Sequence, residues 1–457
     1  LSIEVAFRLR CSCSRRAHAR AHACGRRRGG RKWAGQWRDD RPAVGRGRAG
    51  DVCASGRPGE RQEGRPGADL QVTFDNALQS YAHARLSGEG AAVVMLDCDS
   101  GDILVSASSP SYDPNLFVHG ISSADYRALL EDPLRPLPNK AVQGIYPPGS
   151  TFKVVTALAA LEAGVVGPEE TVWCPGYLKV GTRQFRCWKR GGHGTVNMHS
   201  AIKGSCDVYF YEIARRTGVD KIAETARKFG FGEDWVLGMT GGRGGLVPDR
   251  EWKRRVRKED WYEGETLNFG IGQGQLGTTP LQLALMTARI AAEGKPFKPR
   301  MIGIGPESDE GHVLDKPLDT EIMQRMKAGM YGVTSEGGGT AWSSGDLGLG
   351  GPRLAGKTGT AQVRRITREE RLSGIRKGAD IARELRDHAL FVAYAPADDP
   401  KYAISVIVEH GEGGSRTAGP VARDILHHAL KTDSRRRAAY AQSASLTKPS
   451  SGEGEPT

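Results

Sequence analysis

Three short motifs stand in chain order with side chains suited to acyl transfer through a serine: Ser150-Thr-Phe-Lys153, Ser205-Cys-Asp207 and Lys357-Thr-Gly-Thr360. A serine hydroxyl is a poor nucleophile until a base takes its proton. Residues three apart share one face of a helix, so Ser150 and Lys153 are spaced to bring hydroxyl and amine together. Lysine serves as base once desolvation and a neighbouring positive charge lower it from an ordinary pKa of about 10.4. The apolar run after Lys153 offers the first influence and Lys357 the second. Ser205 adds a hydroxyl for proton relay and Asp207 a carboxylate to orient Lys153, although helix capping is the plainer use of either. Lys357, Thr358, Gly359 and Thr360 lie in Leu-Ala-Gly-Lys-Thr-Gly-Thr-Ala-Gln-Val363, which alternates as an edge strand does. Such a strand pairs with an extended peptide while its lysine and hydroxyls hold a carboxylate. Each motif alone is cheap, since a capped helix with a solvated lysine or a glycine-weakened edge strand would account for it. Their order and local settings carry the reading.

Cys174, Cys187, His193 and Cys206 fall within 33 residues, and Cys206 lies inside the second motif. Three thiolates and an imidazole suit a closed, four-coordinate zinc site. The tight Cys-x-x-Cys spacing of a zinc ribbon is missing, so buried free thiols or a disulfide stay open as readings, with His193 as a plain loop residue. Metal bound at Cys206 would fix Ser205 and Asp207 on either side of it. Cys98 reads as a buried hydrophobe.

The elements that must position these groups are legible locally. Pro147-Pro148-Gly149 halts any preceding element, and Ser150 opens a predicted helix running to Gly164, whose first N–H groups would face a reacting carbonyl. Further helices are predicted over 198–217, 219–229, 279–293, 317–334 and 419–430, after a helical pattern through Ala77, Leu78, Tyr81 and Ala82. Strands 91–96 and 103–107 flank the turn-rich Asp97-Cys-Asp-Ser-Gly-Asp102, and 388–395 and 402–409 flank Pro396-Ala-Asp-Asp-Pro400, giving two hairpins. Strands early and late with helices between them imply the α+β class, with an antiparallel β-sheet flanked by helices. No internal repeat is present.

The net charge of +12 in 457 residues invites a nucleic-acid or membrane-surface reading until it is located. Residues 1–68 hold 17 Lys and Arg against 6 Asp and Glu, together with Cys11, Cys13, Cys24 and Cys53, and show almost no apolar periodicity. We expect them to be disordered, either as an out-of-frame translation of a GC-rich region or as an arm for RNA and acidic surfaces. The remainder is nearly neutral, so no nucleic-acid partner is expected for it. A folded domain is expected over 69–431 and a disordered tail over 432–457. The longest apolar stretch, near Val154 to Val166, is broken by Glu162 and Gly164 and falls short of the roughly 20 residues that span a bilayer. No secretory leader pattern opens the chain.

With Gly270-Ile-Gly-Gln-Gly274 and Thr279-Pro-Leu-Gln282, the three motifs make residues 69–431 resemble a class B penicillin-binding protein. Asn139-Lys-Ala-Val-Gln-Gly-Ile-Tyr-Pro-Pro-Gly-Ser-Thr-Phe-Lys153 resembles its elongation-specific branch, penicillin-binding protein 2. The resemblance implies a serine β-lactamase/transpeptidase-like fold and a peptidoglycan D,D-transpeptidase inhibited by β-lactams. Ser150 would be acylated by the penultimate D-Ala of a donor stem peptide, and an acceptor amine would resolve the acyl-enzyme. It implies Lys153 as base, Ser205 as relay, Lys357, Thr358 and Thr360 as carboxylate binders beside Gly359, and the Ser150 and Thr360 N–H groups as oxyanion hole. Asp207 departs from the Asn of most of the superfamily, although Asp is familiar in the elongation branch. The resemblance also implies structural zinc at the cysteine cluster, a SEDS-type glycosyltransferase of the rod complex as partner, and the periplasmic side of a bacterial inner membrane. An intact member begins with an anchor and a pedestal domain where this chain has its Arg-rich segment, so a truncated or frame-disrupted chain, catalytically silent, is one alternative. A D,D-carboxypeptidase using water as acceptor is another. A β-lactamase is the third, with Glu263-Gly-Glu-Thr-Leu-Asn268 as a superficial match to its deacylating element.

Overall fold

The most apolar segments become the middle of a five-stranded sheet. β1 (Ala91–Asp97) and β9 (Tyr402–Val408) bury every residue, and β8 (His388–Ala395) all but its first. Continuous burial requires cover on both faces, whereas β2 (Ile103–Ser109) alternates as a half-covered edge does. β7 (Ala355–Ala361) is the opposite edge, and the order is β2-β1-β9-β8-β7 with every neighbouring pair antiparallel. Two short ribbons stand apart: β3 (Val172–Cys174) with β6 (Gly194–Val196), and β4 (Tyr177–Val180) with β5 (Arg183–Arg186). This computed structural model describes residues 72–235, 241–295, 298–302, 319–364, 370 and 380–433, all within the unit that begins at Leu70. The expected segment 1–68, and the expected tail beyond residue 433, lie outside the described residues.

The helices in chain order are α1 (Asn76–Arg85), α2 (Ser123–Glu131), α3 (Lys140–Gln143), α4 (Lys153–Glu162), α5 (Met198–Lys203), α6 (Asp207–Thr217), α7 (Val219–Lys228), α8 (Arg250–Arg257), α9 (Glu263–Gly270), α10 (Pro280–Ala291), α11 (Thr320–Ser335) and α12 (Gly419–Thr432). All twelve residues of α10 are buried, and its polar members Gln282, Thr287 and Arg289 each hydrogen-bond to backbone carbonyls. It packs on β1, β8 and β9, while α12 packs on β8 and β9 and α1 on β2. Side-chain alternation shows that α10 and α12 take opposite faces: Ser405 of β9 donates to Pro280 O at 2.6 Å, whereas the Tyr402 hydroxyl donates to Asp433, just past α12, at 2.6 Å. Both predicted hairpins and the edge placement of the Lys-Thr-Gly-Thr strand are present. No described helix is long and apolar enough to cross a membrane.

Two expected helices differ in a way that shapes the site. The helix expected from Ser150 begins as a 3-10 turn, Gly149–Phe152, and becomes α-helical only at Lys153. The single helix expected over 198–217 is two, α5 and α6, separated by Gly204-Ser205-Cys206. Here Ser205 N and Cys206 N turn back onto the Ile202 and Ala201 carbonyls at 3.2 and 2.9 Å, closing α5, and Ser205 takes a left-handed φ of 53°.

Candidate active site

The chain leading to Ser150 is pinned before it arrives. Tyr146 exchanges two backbone hydrogen bonds of 2.9 Å with Thr278, and Gly149 N donates to Gly272 O at 2.9 Å. Gly149 has φ 53°, and any side-chain carbon on it would collide with the Thr360 carbonyl of β7. The nucleophile turn is thus wedged beneath the edge strand. Gln273 Nε2 donates to the same Thr360 carbonyl at 3.1 Å, joining the Gly-Ile-Gly-Gln-Gly segment to it. Ser150 is half-buried, and its hydroxyl has no hydrogen bond among the described residues.

Lys153 and Lys357 are both 0% exposed and converge on Ser205 from two sides. Lys153 Nζ lies 2.6 Å from Asp207 Oδ1, 2.9 Å from Ser205 O and 3.2 Å from Ser205 Oγ. Lys357 Nζ lies 3.0 Å from the same Oγ and 3.2 Å from Thr358 O. The positive charge of Lys153 is therefore compensated by Asp207. Burial, followed by the charge on Lys153, pushes the Lys357 ammonium well below its ordinary value. The second carboxylate oxygen of Asp207 accepts from Trp188 N at 2.8 Å. An acceptor-only group is what a lysine on one side and an amide N–H on the other require, which accounts for Asp at this position.

Sequence reasoning missed two of the contributors. Trp188 also donates from Nε1 to Gly204 O and Ser205 O at 3.1 and 3.0 Å, tying the α5–α6 junction to the cysteine loop. Thr340 places its Oγ1 2.9 Å from Thr358 Oγ1. It follows Gly337-Gly-Gly339, a run with no periodicity to flag it.

The four candidate metal ligands come together, with their ligand atoms within 4.8 Å of one another. His193 Nδ1 lies 3.7 Å from Cys174 Sγ and 3.4 Å from Cys187 Sγ. A tetrahedral zinc with Zn–S about 2.3 Å and Zn–N about 2.0 Å sets S···N edges of about 3.5 Å, so the donor set fits. His193 Nε2 meets the Gly204 carbonyl at 3.2 Å, which leaves the Nδ1 lone pair facing the thiols. Hydrogen bonding between the two thiols holds Cys187 below the ordinary thiol range and, with burial, pushes Cys206 above it. The β3–β6 ribbon carries Cys174 and ends on His193, and a side-chain carbon on Gly192 (φ 78°) would strike the Cys174 carbonyl. No disulfide joins the cysteines of this cluster.

A nucleophile turn held under the edge of an antiparallel sheet, with a covered helical layer on each face, is the serine transpeptidase fold. The sequence description of the penicillin-binding protein transpeptidase domain matches residues 91–427. Peptidoglycan D,D-transpeptidase MrdA of Haemophilus influenzae is 39% identical over 378 residues, covering 80% of this chain and 56% of that protein. MrdA of Escherichia coli K12 is 37% identical over 376 residues, covering 80% and 58%. Pseudomonas aeruginosa PBP2, solved in complex with WCK 5153, superposes with a TM-score of 0.71 at 39% identity over 87% of this chain and 81% of that one. Helicobacter pylori PBP2, solved in complex with MreC, gives 0.72 at 34% identity over 80% and 65%. The chain belongs to the penicillin-binding protein transpeptidase family. It spans a little over half the length of the two MrdA proteins.

Proposed function

We propose that this chain is a peptidoglycan D,D-transpeptidase of the elongation-specific kind, working through a Ser150 acyl-enzyme. The observation that carries the reading is the unbroken line Lys153–Ser205–Lys357, 3.2 and 3.0 Å per step, beneath an open serine at a free strand edge. A donor stem peptide ending in D-Ala-D-Ala lies along β7 as an added strand, with its terminal carboxylate on Thr358 and Thr360 and the Gly359 backbone against it. Lys153 passes a proton through the Ser205 hydroxyl to the neutral amine of Lys357, and can then take the proton of Ser150 as its oxygen attacks the penultimate D-Ala carbonyl. The oxyanion is met by the Ser150 and Thr360 N–H groups, and the proton returns along the same line to the departing D-Ala amine. An acceptor amine repeats the steps in reverse. β-Lactams acylate Ser150 by the same route.

Zinc held by Cys174, Cys187, His193 and Cys206 is part of this proposal, as a structural ion that keeps the α5–α6 junction in place. The folded unit would work on the periplasmic side of the inner membrane with a SEDS-type glycosyltransferase as partner. Support for a partnered role comes from two solved relatives, the H. pylori PBP2 complex with MreC and a peptidoglycan synthase complex.

Intact-mass spectrometry after brief penicillin exposure, with Ser150→Ala as control, tests the reading. The expected result is one long-lived adduct on Ser150. An adduct that hydrolyses within minutes would convert the assignment to a β-lactamase, and no adduct on folded, zinc-replete protein would end it.

A further inference from the structure

The bound carboxylate required by the reading above lacks a visible countercharge. Lys357, the cation nearest in sequence to Thr358 and Thr360, is 0% exposed and turned toward Ser205. The register explains why. Lys357 stands opposite Val392, which stands opposite Ser405, so Lys357 shares the α10 face with Ser405. Thr358 lies opposite Phe391 and then Val406, which places Thr358 and Thr360 on the other face, that of α12. Exposure follows the same alternation: Lys357 and Gly359 are buried, Thr358 is half-buried and Thr360 is open. An anion on the threonine hydroxyls is therefore separated from the Lys357 amine by the strand itself.

Among the described residues, the other cations around this edge are committed. Arg364, just beyond β7, is paired with Glu370 at 2.7 Å. Arg386 donates to Ile381 O at 3.3 Å, and Arg353 to Ser335 Oγ at 2.9 Å. The exception comes from the far end of the chain. Between β9 and α12 the backbone makes a turn of π-helix, Gly414–Ala418, a rare form that recurs at functional sites. This segment lies over the threonine face: a side-chain carbon on Gly411 would touch Ala389, the cross-strand partner of Thr360. One on Gly414 would lie 2.7 Å from Gly359 O. Arg416, two residues on, is exposed, and its guanidinium has neither ion pair nor hydrogen bond among the described residues.

We propose that Arg416 is the guanidinium that holds the C-terminal carboxylate of the donor peptide, and the equivalent carboxylate of a β-lactam, against Thr358 and Thr360. A planar fork of N–H donors matches a carboxylate in two bonds, and hydroxyls complete the acceptor's remaining lone pairs. Thr340, whose Oγ1 lies 2.9 Å from Thr358 Oγ1, orients that hydroxyl. The division of labour follows: Lys357 handles protons on one face of β7 while Arg416 handles charge on the other. This assignment rests on the transpeptidase reading of the same site.

The test is the acylation of the full chain by benzylpenicillin, resolved into the binding constant and the acylation rate constant, for wild type, Arg416→Gln and Arg416→Lys. Arg416→Gln is expected to weaken binding about tenfold or more, the worth of a charge-assisted hydrogen bond, with the acylation rate constant within about twofold of wild type. Arg416→Lys should recover part of the loss. Because Arg416 is exposed and unpaired, melting temperature should not move with either change. Binding unchanged in Arg416→Gln, or a loss confined to the rate constant, overturns the assignment of Arg416. A wild type that forms no adduct would instead overturn the transpeptidase reading itself.

Discussion

Two buried lysines within bonding distance of one hydroxyl cannot carry equal charge, and their surroundings divide the roles. Asp207 compensates Lys153 at 2.6 Å, while Lys357 meets only neutral partners at bonding distance and is pushed well below its ordinary value by burial and then by Lys153. In the unfolded chain Lys357 keeps its proton up to about pH 10.4. Between the folded value and that limit, the unfolded state binds the extra proton, so stability rises with pH across the window; below the folded value both states are protonated and the penalty is constant. Lys357→Met should abolish this slope and stabilise the fold at neutral pH, as seen in urea unfolding at several pH values, while slowing penicillin acylation about a hundredfold or more. A variant with the wild-type slope would refute the assignment of the neutral amine. In wild type, acylation should fall as pH drops through the folded value of Lys357, because the relay needs its free amine. Trp188 acts on the same hydroxyl through the main chain. Trp188→Phe keeps the ring and the N–H to Asp207 but loses the two Nε1 bonds, and should slow acylation about tenfold while costing about 1 kcal/mol of stability. Equal acylation by Trp188→Phe and wild type would make the indole bonds irrelevant to Ser205.

Ser205 reaches both amines only because the chain between α5 and α6 reverses at Gly204-Ser205-Cys206, and the cysteine cluster grips that reversal at its third residue. If zinc sits there, Cys206→Ser should lower bound metal per chain, melting temperature and acylation rate together, with metal affinity down roughly 10- to 100-fold. Elemental analysis alongside the penicillin assay decides it: full acylation after verified metal loss would show that the loop holds itself. Turn-flanked apolar runs made both hairpins legible, and the alternation around Lys357-Thr-Gly-Thr360 marked an edge strand, because strand period and turn chemistry are local properties. The break in 198–217 was not legible, since apolar periodicity continues through it and a left-handed serine leaves no trace in composition. Thr340 and Trp188 escaped for a related reason: their partners, Thr358 and the Gly204 and Ser205 carbonyls, lie 16 to 18 residues away and meet them only through tertiary packing. The cysteine set was legible as residue types, whereas its convergence depended on a two-stranded ribbon too short to be predicted.

At the scale of the molecule, the sheet draws β1 and β2 from one end of the domain beside β7, β8 and β9 from the other, so the site closes only when both ends are in place. The nucleophile turn comes from residues 149–152, the relay from 205, the anion face from 358–360 and the proposed guanidinium from 416. Every one of these lies within the unit that begins at Leu70, and the first described tie to the fold is the Val72–Ile302 bridge. The 17 Lys and Arg against 6 Asp and Glu of residues 1–68 give the chain its basic character. Deleting residues 1–68 should leave the melting temperature unchanged and the rate of Ser150 acylation within about twofold, because every named group of the site lies in the unit that begins at Leu70. The same deletion should abolish retention on a polyanion column, since the remaining chain is close to neutral. Loss of acylation with the fold intact would instead make the basic segment part of the working site, whereas retention on the column would locate the polyanion contact on the folded unit, with exposed Arg254 and Arg255 of α8 the first residues to substitute.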